Sequence, residues 1–288
     1  MQHTSIGNLD ISRFGMGTKR LPRTDVTRVE RLDTEISRDI LDAALEHGVN
    51  FFDTGYSHHK GEAESFLGEE LTEKTGRTIV QTSFFELVDP RYEYVFQKQL
   101  KKVERPCIDL YTVEGTCDLT RMRDVDSGAV DFLFKRKEAG EINMLGFSSE
   151  LSAANLKEHL SLFPWDFVRL RVNFFDWFEK GVREQYETVC EAGLPVIAHA
   201  SLSMGPKEHL KPAALDVLKE ATPQRSEIEW GLRFVKSLEN VAAVSCNVRS
   251  KGQLIEDCAV FEDEEVLSSR DFELLEEAAR AQKAVIRR

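Results

Sequence analysis

The segment VNFFDTGYSHHKGEAESFLGEEL, Val49–Leu71, decides the fold. An apolar run, Val49–Phe52, stops at Asp53. A polar loop carrying His58 and His59 follows, and Glu62 and Glu64 then open a helical pattern. A buried strand, a loop of titratable groups and a helix form the repeating unit of an α/β barrel, which presents its chemistry at the C-terminal ends of its strands.

The same alternation runs along the whole chain. Further strands are predicted at Ile11–Thr18, Thr78–Thr82, Ile108–Val113, Ile142–Phe147, Phe167–Val172, Pro195–Ala198 and Val241–Ser245. Between them, apolar residues at helical spacing predict helices over Thr34–His47, Glu62–Thr75, Arg91–Val103, Met122–Ala139, Val182–Ala192 and Ser226–Leu238. Others start after Ser152 (an N-cap) and near Lys251, and Asp271–Ile286 forms a terminal helix. Eight β-α units with right-handed crossovers predict a (β/α)8 TIM barrel, an α/β fold occupying residues 1–288 as one domain. A doubly wound sheet would carry a G-x-G-x-x-G turn after its first strand, and none is present. The acidic run Glu262–Glu265 reads as a solvated turn.

The composition is that of a soluble globular chain: 41% hydrophobic, 31% charged and a net charge of -12. The negative charge and the lack of a Lys/Arg cluster interleaved with aromatics argue against a nucleic-acid partner. Apolar stretches are short and broken by charges, so no membrane span is expected. The start lacks the basic and apolar regions of a signal peptide. Cys107, Cys117, Cys190, Cys246 and Cys258 show neither paired nor metal-ligand spacing, which suits the cytoplasm and predicts no metal site.

Because barrel sites lie on the C-terminal rim, the residues ending the strands are the candidates: Thr18, Lys19, Asp53, Ser83, Glu114, Ser148, Ser149, Arg169, Asn173, His199 and Asn247. Any one of them could be a satisfied structural group. Together, acid, base and guanidinium converging on one rim predict a pocket. Phe84, Phe85, Phe174, Phe175 and Phe178, near strand ends, suggest an apolar or aromatic lining, although core packing explains them equally well.

Several of these motifs, in order along the chain, resemble the aldo-keto reductase superfamily. SRFGMGTKRLP (Ser12–Pro22) resembles its first strand, and GEINMLGFSS (Gly140–Ser149) its GKI-x-x-x-GxS motif. EWGLRF (Glu229–Phe234) resembles the helix before its last strand, and QLIED (Gln253–Asp257) part of its adenine and phosphate segment. Asp53 through Leu71 is most similar to the bacterial subfamily reading DTAYxYHGGxSExxLG. That subfamily is often fused to an iron–sulfur domain, an extension not expected here because cluster cysteines are missing. The resemblance implies NADP as cofactor. Thr18 would lie near its ribose, Ser148, Ser149, Arg169 and His199 near its nicotinamide, and Arg249, Ser250, Lys251 and Asp257 near its phosphate and adenine.

The family's catalytic tetrad is Asp, Tyr, Lys and His. Here Asp53 is retained, but His58, Ser83 and Glu114 occupy the other three positions. A tyrosine phenol, with a pKa of about 10, needs the lysine cation to donate a proton near neutrality. An imidazole, titrating at about 6.5, does not, and carboxylates at Asp53 and Glu114 are expected to favour its protonated form. Losing the lysine strands Asp53, so Arg169 is expected to reach Asp53 or Glu114, or to clamp an anionic ligand. His59 and Lys60 read as solvated loop residues.

Three functions stay open. The first is an atypical NADP-dependent oxidoreductase with His58 as acid. The second is a redox-neutral isomerase, dehydratase or lyase using Asp53, His58 and Glu114. The third is a non-catalytic ligand-binding or regulatory protein. In each case the partner is a small molecule, anionic or aromatic.

Overall fold

The chain opens with a feature absent from the sequence reading. Strands β1 (His3–Ile6) and β2 (Leu9–Ser12) pair as an antiparallel hairpin across Gly7–Asn8. The predicted strand Ile11–Thr18 is therefore two elements, because the hairpin takes its first residues and the barrel strand β3 covers only Phe14–Gly17. The computed structural model describes residues 1–24, 31–72, 74, 76–84, 90–116, 127–199 and 210–286. Cys117, Phe85 and the predicted helix start at Met122 lie outside them.

After β3 comes a short antiparallel pair, β4 (Arg23–Thr24) and β5 (Arg31–Leu32). Seven more barrel strands follow: β6 (Phe51–Asp53), β7 (Ile79–Phe84), β8 (Ile108–Thr116), β9 (Ile142–Ser149), β10 (Phe167–Arg171), β11 (Val196–His199) and β12 (Val241–Asn247). Each is parallel to its neighbours, and β12 returns to pair with β3, closing the predicted (β/α)8 barrel. The helices are α1 (Thr34–Glu46), α2 (Glu62–Thr72), α3 (Tyr92–Lys102), α4 (Ser127–Glu138), α5 (Ala153–Leu160), α6 (Phe174–Glu179), α7 (Val182–Glu191), α8 (Pro212–Ala221), α9 (Glu227–Lys236), α10 (Lys251–Glu262) and α11 (Ser269–Ile286). None is long and apolar enough to cross a membrane. Local chemistry sets many of the starts. Asp33, Ser152, Asn173, Ser226 and Ser250 each accept a backbone amide as N-cap, and Pro212 occupies a first-turn position where its missing N–H is harmless.

Strand alternation sorts the side chains. Phe51, Ile79, Leu110, Met144, Phe167, Ile197 and Ala243 form an apolar layer low in the lumen, closed from below by Ile6, Leu9 and Ile11 of the hairpin. The large rings fit because glycines face them. A β-carbon on Gly15 would meet the Phe51 ring at 2.2 Å, and one on Gly146 the Phe167 ring at 2.7 Å. Two positions further along six of these strands the lumen turns polar, at Asp53, Gln81, Thr112, Arg169, His199 and Ser245. Outside, α11 packs on α8 and α6. Phe84, Phe174 and Phe175 belong to the outer core. Glu262, Glu264 and Glu265 are exposed, as expected of a solvated turn, while Asp263 pairs with Arg233 at 2.6 Å and Lys236 at 2.9 Å. These two partners hold its carboxyl well below the usual range.

Candidate active site

Asp53 ends β6 inside the lumen and is 1% exposed. Three donors reach its carboxylate from three other strands. Arg169 Nη2 on β10 donates at 2.6 Å, Gln81 Nε2 on β7 donates at 3.0 Å, and Ser245 Oγ on β12 donates to the same oxygen as Arg169. The second amino group of Arg169, Nη1, lies 3.2 Å from Glu114 Oε1 on β8. Gly115, at φ +88°, follows Glu114 at an irregularity in the β8–β9 register. Arg169 is itself only 8% exposed, so the pair exchanges its charge in a region that excludes most water. The expectation that Arg169 spans the rim therefore holds for both carboxylates, leaving Nε of the guanidinium buried without a partner among the described residues.

His58 lies in the loop after β6, half-buried, with Nδ1 3.1 Å from Thr18 Oγ1. The expectation of a protonated imidazole is corrected. Burial pulls its pKa down to about 3, outweighing the Glu114 carboxylate that pulls the other way, while Arg169 and Lys19 add to the depression. His58 is a neutral ring at physiological pH. Thr18 is fully buried, its hydroxyl engaged with Thr54 and His58. His59 is no solvated residue either. It is buried, its Nε2 3.0 Å from Thr18 O, although Lys60 is exposed. Both residues have positive φ, +48° and +58°, a left-handed turn that costs non-glycine residues about 1–2 kcal/mol each and recurs where geometry serves a site.

Ser83, at the lysine position, is buried in β7 near Gly55. A β-carbon on Gly55 would sit 2.6 Å from Ser83 Oγ and 3.2 Å from His58 Nε2, so both polar atoms pack closely against the Gly55 backbone. Behind β7, Glu64 is wholly buried. Its Oε1 accepts from Thr82 Oγ1 at 2.6 Å and from Gln99 Nε2 at 2.8 Å, and its Oε2 lies 3.3 Å from Lys102 Nζ. Gln99 also donates to Ser83 O at 3.0 Å, which anchors the strand end that carries Ser83.

The remaining candidates divide. His199 ends β11, with burial and the Arg169 and Arg171 cations holding it well below its ordinary range. Its Nδ1 has no partner among the described residues. Ser148 shares the lumen parity of Met144, whereas Ser149 has the opposite parity and accepts the Leu151 amide at 3.1 Å. Asn173 caps α6, and Asn247 Oδ1 accepts the Lys19 amide at 3.2 Å. Ser250 caps α10 by accepting the Gln253 amide, and Gln253 Nε2 donates to Asp257 Oδ2 at 3.1 Å. Asp257 is 1% exposed with Oδ1 unpartnered among the described residues, and burial raises its pKa to about 7. Arg20 and Arg249 are near enough for the Arg249 cation to lower the Arg20 pKa, after the larger effect of burial.

Sequence reasoning missed Gln81, Ser245, Thr54 and Gly55. The first two were detectable as polar residues recurring at alternate positions of apolar strands, in step with Ile79 and Ala243. Among the described residues no cluster of three or more His, Cys, Asp or Glu could hold a metal.

Comparison with known proteins agrees with this architecture. The uncharacterized oxidoreductase YqkF of Bacillus subtilis (strain 168) is 23% identical over 253 residues, which is 82% of this chain and 76% of that protein. The holo form of the aldo-keto reductase AKR11C1 from Bacillus halodurans superimposes with a TM-score of 0.76 at 22% identity, covering 98% of this chain and 97% of its own. An aldo-keto reductase from Klebsiella pneumoniae in complex with NADPH superimposes with a TM-score of 0.73 at 15% identity, over 93% and 91% of the two chains. The sequence profile of the Aldo/keto reductase family matches residues 13–280. The chain belongs to the aldo/keto reductase family.

Proposed function

We propose that the protein is an NADP-dependent oxidoreductase acting on an uncharged carbonyl compound, with a neutral His58 in the place of the usual tyrosine. The observation that carries this reading is the Arg169–Asp53 pair at 2.6 Å. A buried carboxylate that had merely lost its lysine would be an uncompensated charge, costing several kcal/mol. Here an arginine from the opposite wall, a glutamine and a serine satisfy it. That arrangement describes a site rebuilt as a unit. Because the guanidinium already serves two carboxylates, Arg169 is not available to clamp an anionic ligand, which supports an uncharged substrate over the anionic of the two kinds expected from sequence.

The chain's residues suit the cofactor. The N-terminus of α10, capped by Ser250 and flanked by Arg249, Lys251 and the nearby Arg20, favours a phosphate through both dipole and charge. The orphaned Oδ1 of Asp257 lies within the same helix, carboxyl-protonated below about pH 7 and so able to donate to a base. Ser148 and His199 would line the nicotinamide. When bound, NADPH supplies a hydride. The protein's part is to orient the carbonyl and to polarise its oxygen with His58 and Ser83, the alkoxide formed by the hydride taking its proton from solvent water. The redox-neutral alternative needs a general acid–base group titrating near working pH, and the depressed His58 is poorly matched to that task.

Fluorescence titration with NADPH followed by a carbonyl-reduction assay tests the proposal. Saturable binding, with turnover that falls at least about tenfold in His58→Ala, is expected. No binding at millimolar NADPH overturns it.

A further inference from the structure

The loop that carries His58 turns through three consecutive residues of positive φ: His59 at +48°, Lys60 at +58° and Gly61 at +88°. Glycine takes that conformation freely, but the other two residues carry β-carbons. Such a run persists only where its surroundings impose it. His58 comes immediately before the run, so the direction of its ring depends on it. Two contacts hold the run, one at each end.

At the first end, the buried His59 has its Nε2 3.0 Å from Thr18 O. A carbonyl oxygen only accepts, so Nε2 carries the proton and donates. His58 Nδ1 lies 3.1 Å from the hydroxyl of the same threonine. The two histidines thus grip one residue, which the barrel fixes in turn: Thr18 is 0% exposed and its amide donates to Asp53 O at 2.9 Å. At the second end, Lys102 Nζ on α3 donates to Gly61 O at 2.9 Å. A β-carbon on Gly61 would overlap that ammonium, so glycine serves both the backbone angle and the approach of the cation. The same ammonium lies 3.3 Å from the buried Glu64 Oε2 and 5.5 Å from the centre of the Tyr56 ring. Because Thr82 and Gln99 hold Glu64, Lys102 has a fixed footing behind β7.

We propose that His59 and Lys102 are positioning residues, two anchors that impose the left-handed turn and thereby hold the His58 ring against Thr18 on the barrel rim. Both act through His58. Their part in the reaction rests on the proposed oxidoreductase reading, whereas the anchoring does not. Loss of either anchor lets the turn relax and opens His58 to water. The charged and titratable groups that face its ring are Glu114, Arg169, Lys19 and His59, and burial is the largest influence of all. The titration of His58 therefore reports whether the ring is held.

NMR titration of the full chain, labelled with 15N-histidine, tests the proposal, the His58 signals being identified by their loss in His58→Gln. In the parent protein His58 should stay neutral from about pH 8 down to about pH 5. In His59→Ala it should titrate within about one unit of the ordinary 6.5. His59→Gln keeps a donor where Nε2 stands and should restore the parent's behaviour. Glu64→Gln with Lys102→Met releases the second anchor without leaving a buried charge unpaired, and His58 should titrate as in His59→Ala. Circular dichroism establishes that each variant is folded. The proposal is overturned by a His58 that titrates near 6.5 in the parent, or by one that stays neutral in either folded, released variant. A His59→Gln protein that behaves like His59→Ala overturns it too.

Fluorescence titration with NADPH and carbonyl turnover on the same samples separate the two ideas. A released His58 in a protein that binds no NADPH leaves the anchors standing and removes the cofactor reading. An unmoved His58 with NADPH bound removes the anchors alone. Where both stand, turnover should fall at least about tenfold in His59→Ala, with the Kd for NADPH within about twofold of the parent's.

Discussion

Arg169 Nη2 meets Asp53 Oδ2 at 2.6 Å across the barrel lumen, joining β10 to β6, the strand opposite it in the closed barrel. Arg169→Gln should therefore cost about 3–5 kcal/mol in urea denaturation, because it leaves a buried carboxylate short of its counter-charge. The double variant Asp53→Asn with Arg169→Gln should recover a large part of that loss. Additive losses in the double variant would mean that the pair is not coupled.

Gly55→Ala tests the close approach of Ser83 and His58 to the loop after β6. The added methyl would collide with Ser83 Oγ and crowd His58 Nε2, so Ser83 or the loop must shift to admit it. Carbonyl turnover is expected to fall at least about tenfold while NADPH affinity stays within about twofold, since the cofactor residues are elsewhere. Equal losses in both would point to a general distortion.

The pH profile follows from the neutral ring. With His58 at about 3, its imidazole does not titrate between pH 5.5 and 8, so His58 should add no limb to kcat/KM for carbonyl reduction there. A limb near pH 6.5 that disappears in His58→Gln would contradict the assignment.

Much of the barrel was legible in the sequence because period-2 and period-3.6 patterns alternate with little interruption. What was missed has local reasons. The first hairpin was absorbed into Ile11–Thr18, though the Gly7–Asn8 turn signals it. Asn173 and Pro212 announce α6 and α8 as cap and first-turn residues, but Phe174–Glu179 is too short to show a period. The partners of Asp53 were half visible. Arg169 was predicted from the stranded charge, whereas Gln81 and Ser245 depend on knowing which face of each strand points inward. The His58 pKa was misjudged because charges can be counted in a sequence and burial cannot.

His159 on α5 gives the acid limb of stability. It is fully buried against Phe147 and Trp165 with neither ring nitrogen bonded among the described residues, and burial lowers its pKa to about 4. The stability it confers when neutral is complete above about pH 6.5 and is lost as the pH falls towards 4, by roughly 3 kcal/mol at about 1.4 kcal/mol per unit. His159→Leu should flatten the stability curve across that window, measured as denaturation midpoints from pH 4 to 7.

Asp257 acts with the opposite sign. Its raised pKa, about 7, means that stability is full below about pH 4 and declines as the pH rises to 7. Asp257→Asn should be more stable than the parent at pH 8, by an amount on the order of a few kcal/mol, with little difference at pH 4. Thermal melts at the two pH values decide it.

The hairpin beneath the barrel has a kinetic consequence. Ile6, Leu9 and Ile11 seal the lumen against the apolar floor of Phe51, Ile79 and Phe167, so the channel is a dead end. Among the described residues, the way to Asp53 and His58 then lies at the opposite mouth. Two molecules that both use the site must then queue, the deeper one arriving first and leaving last.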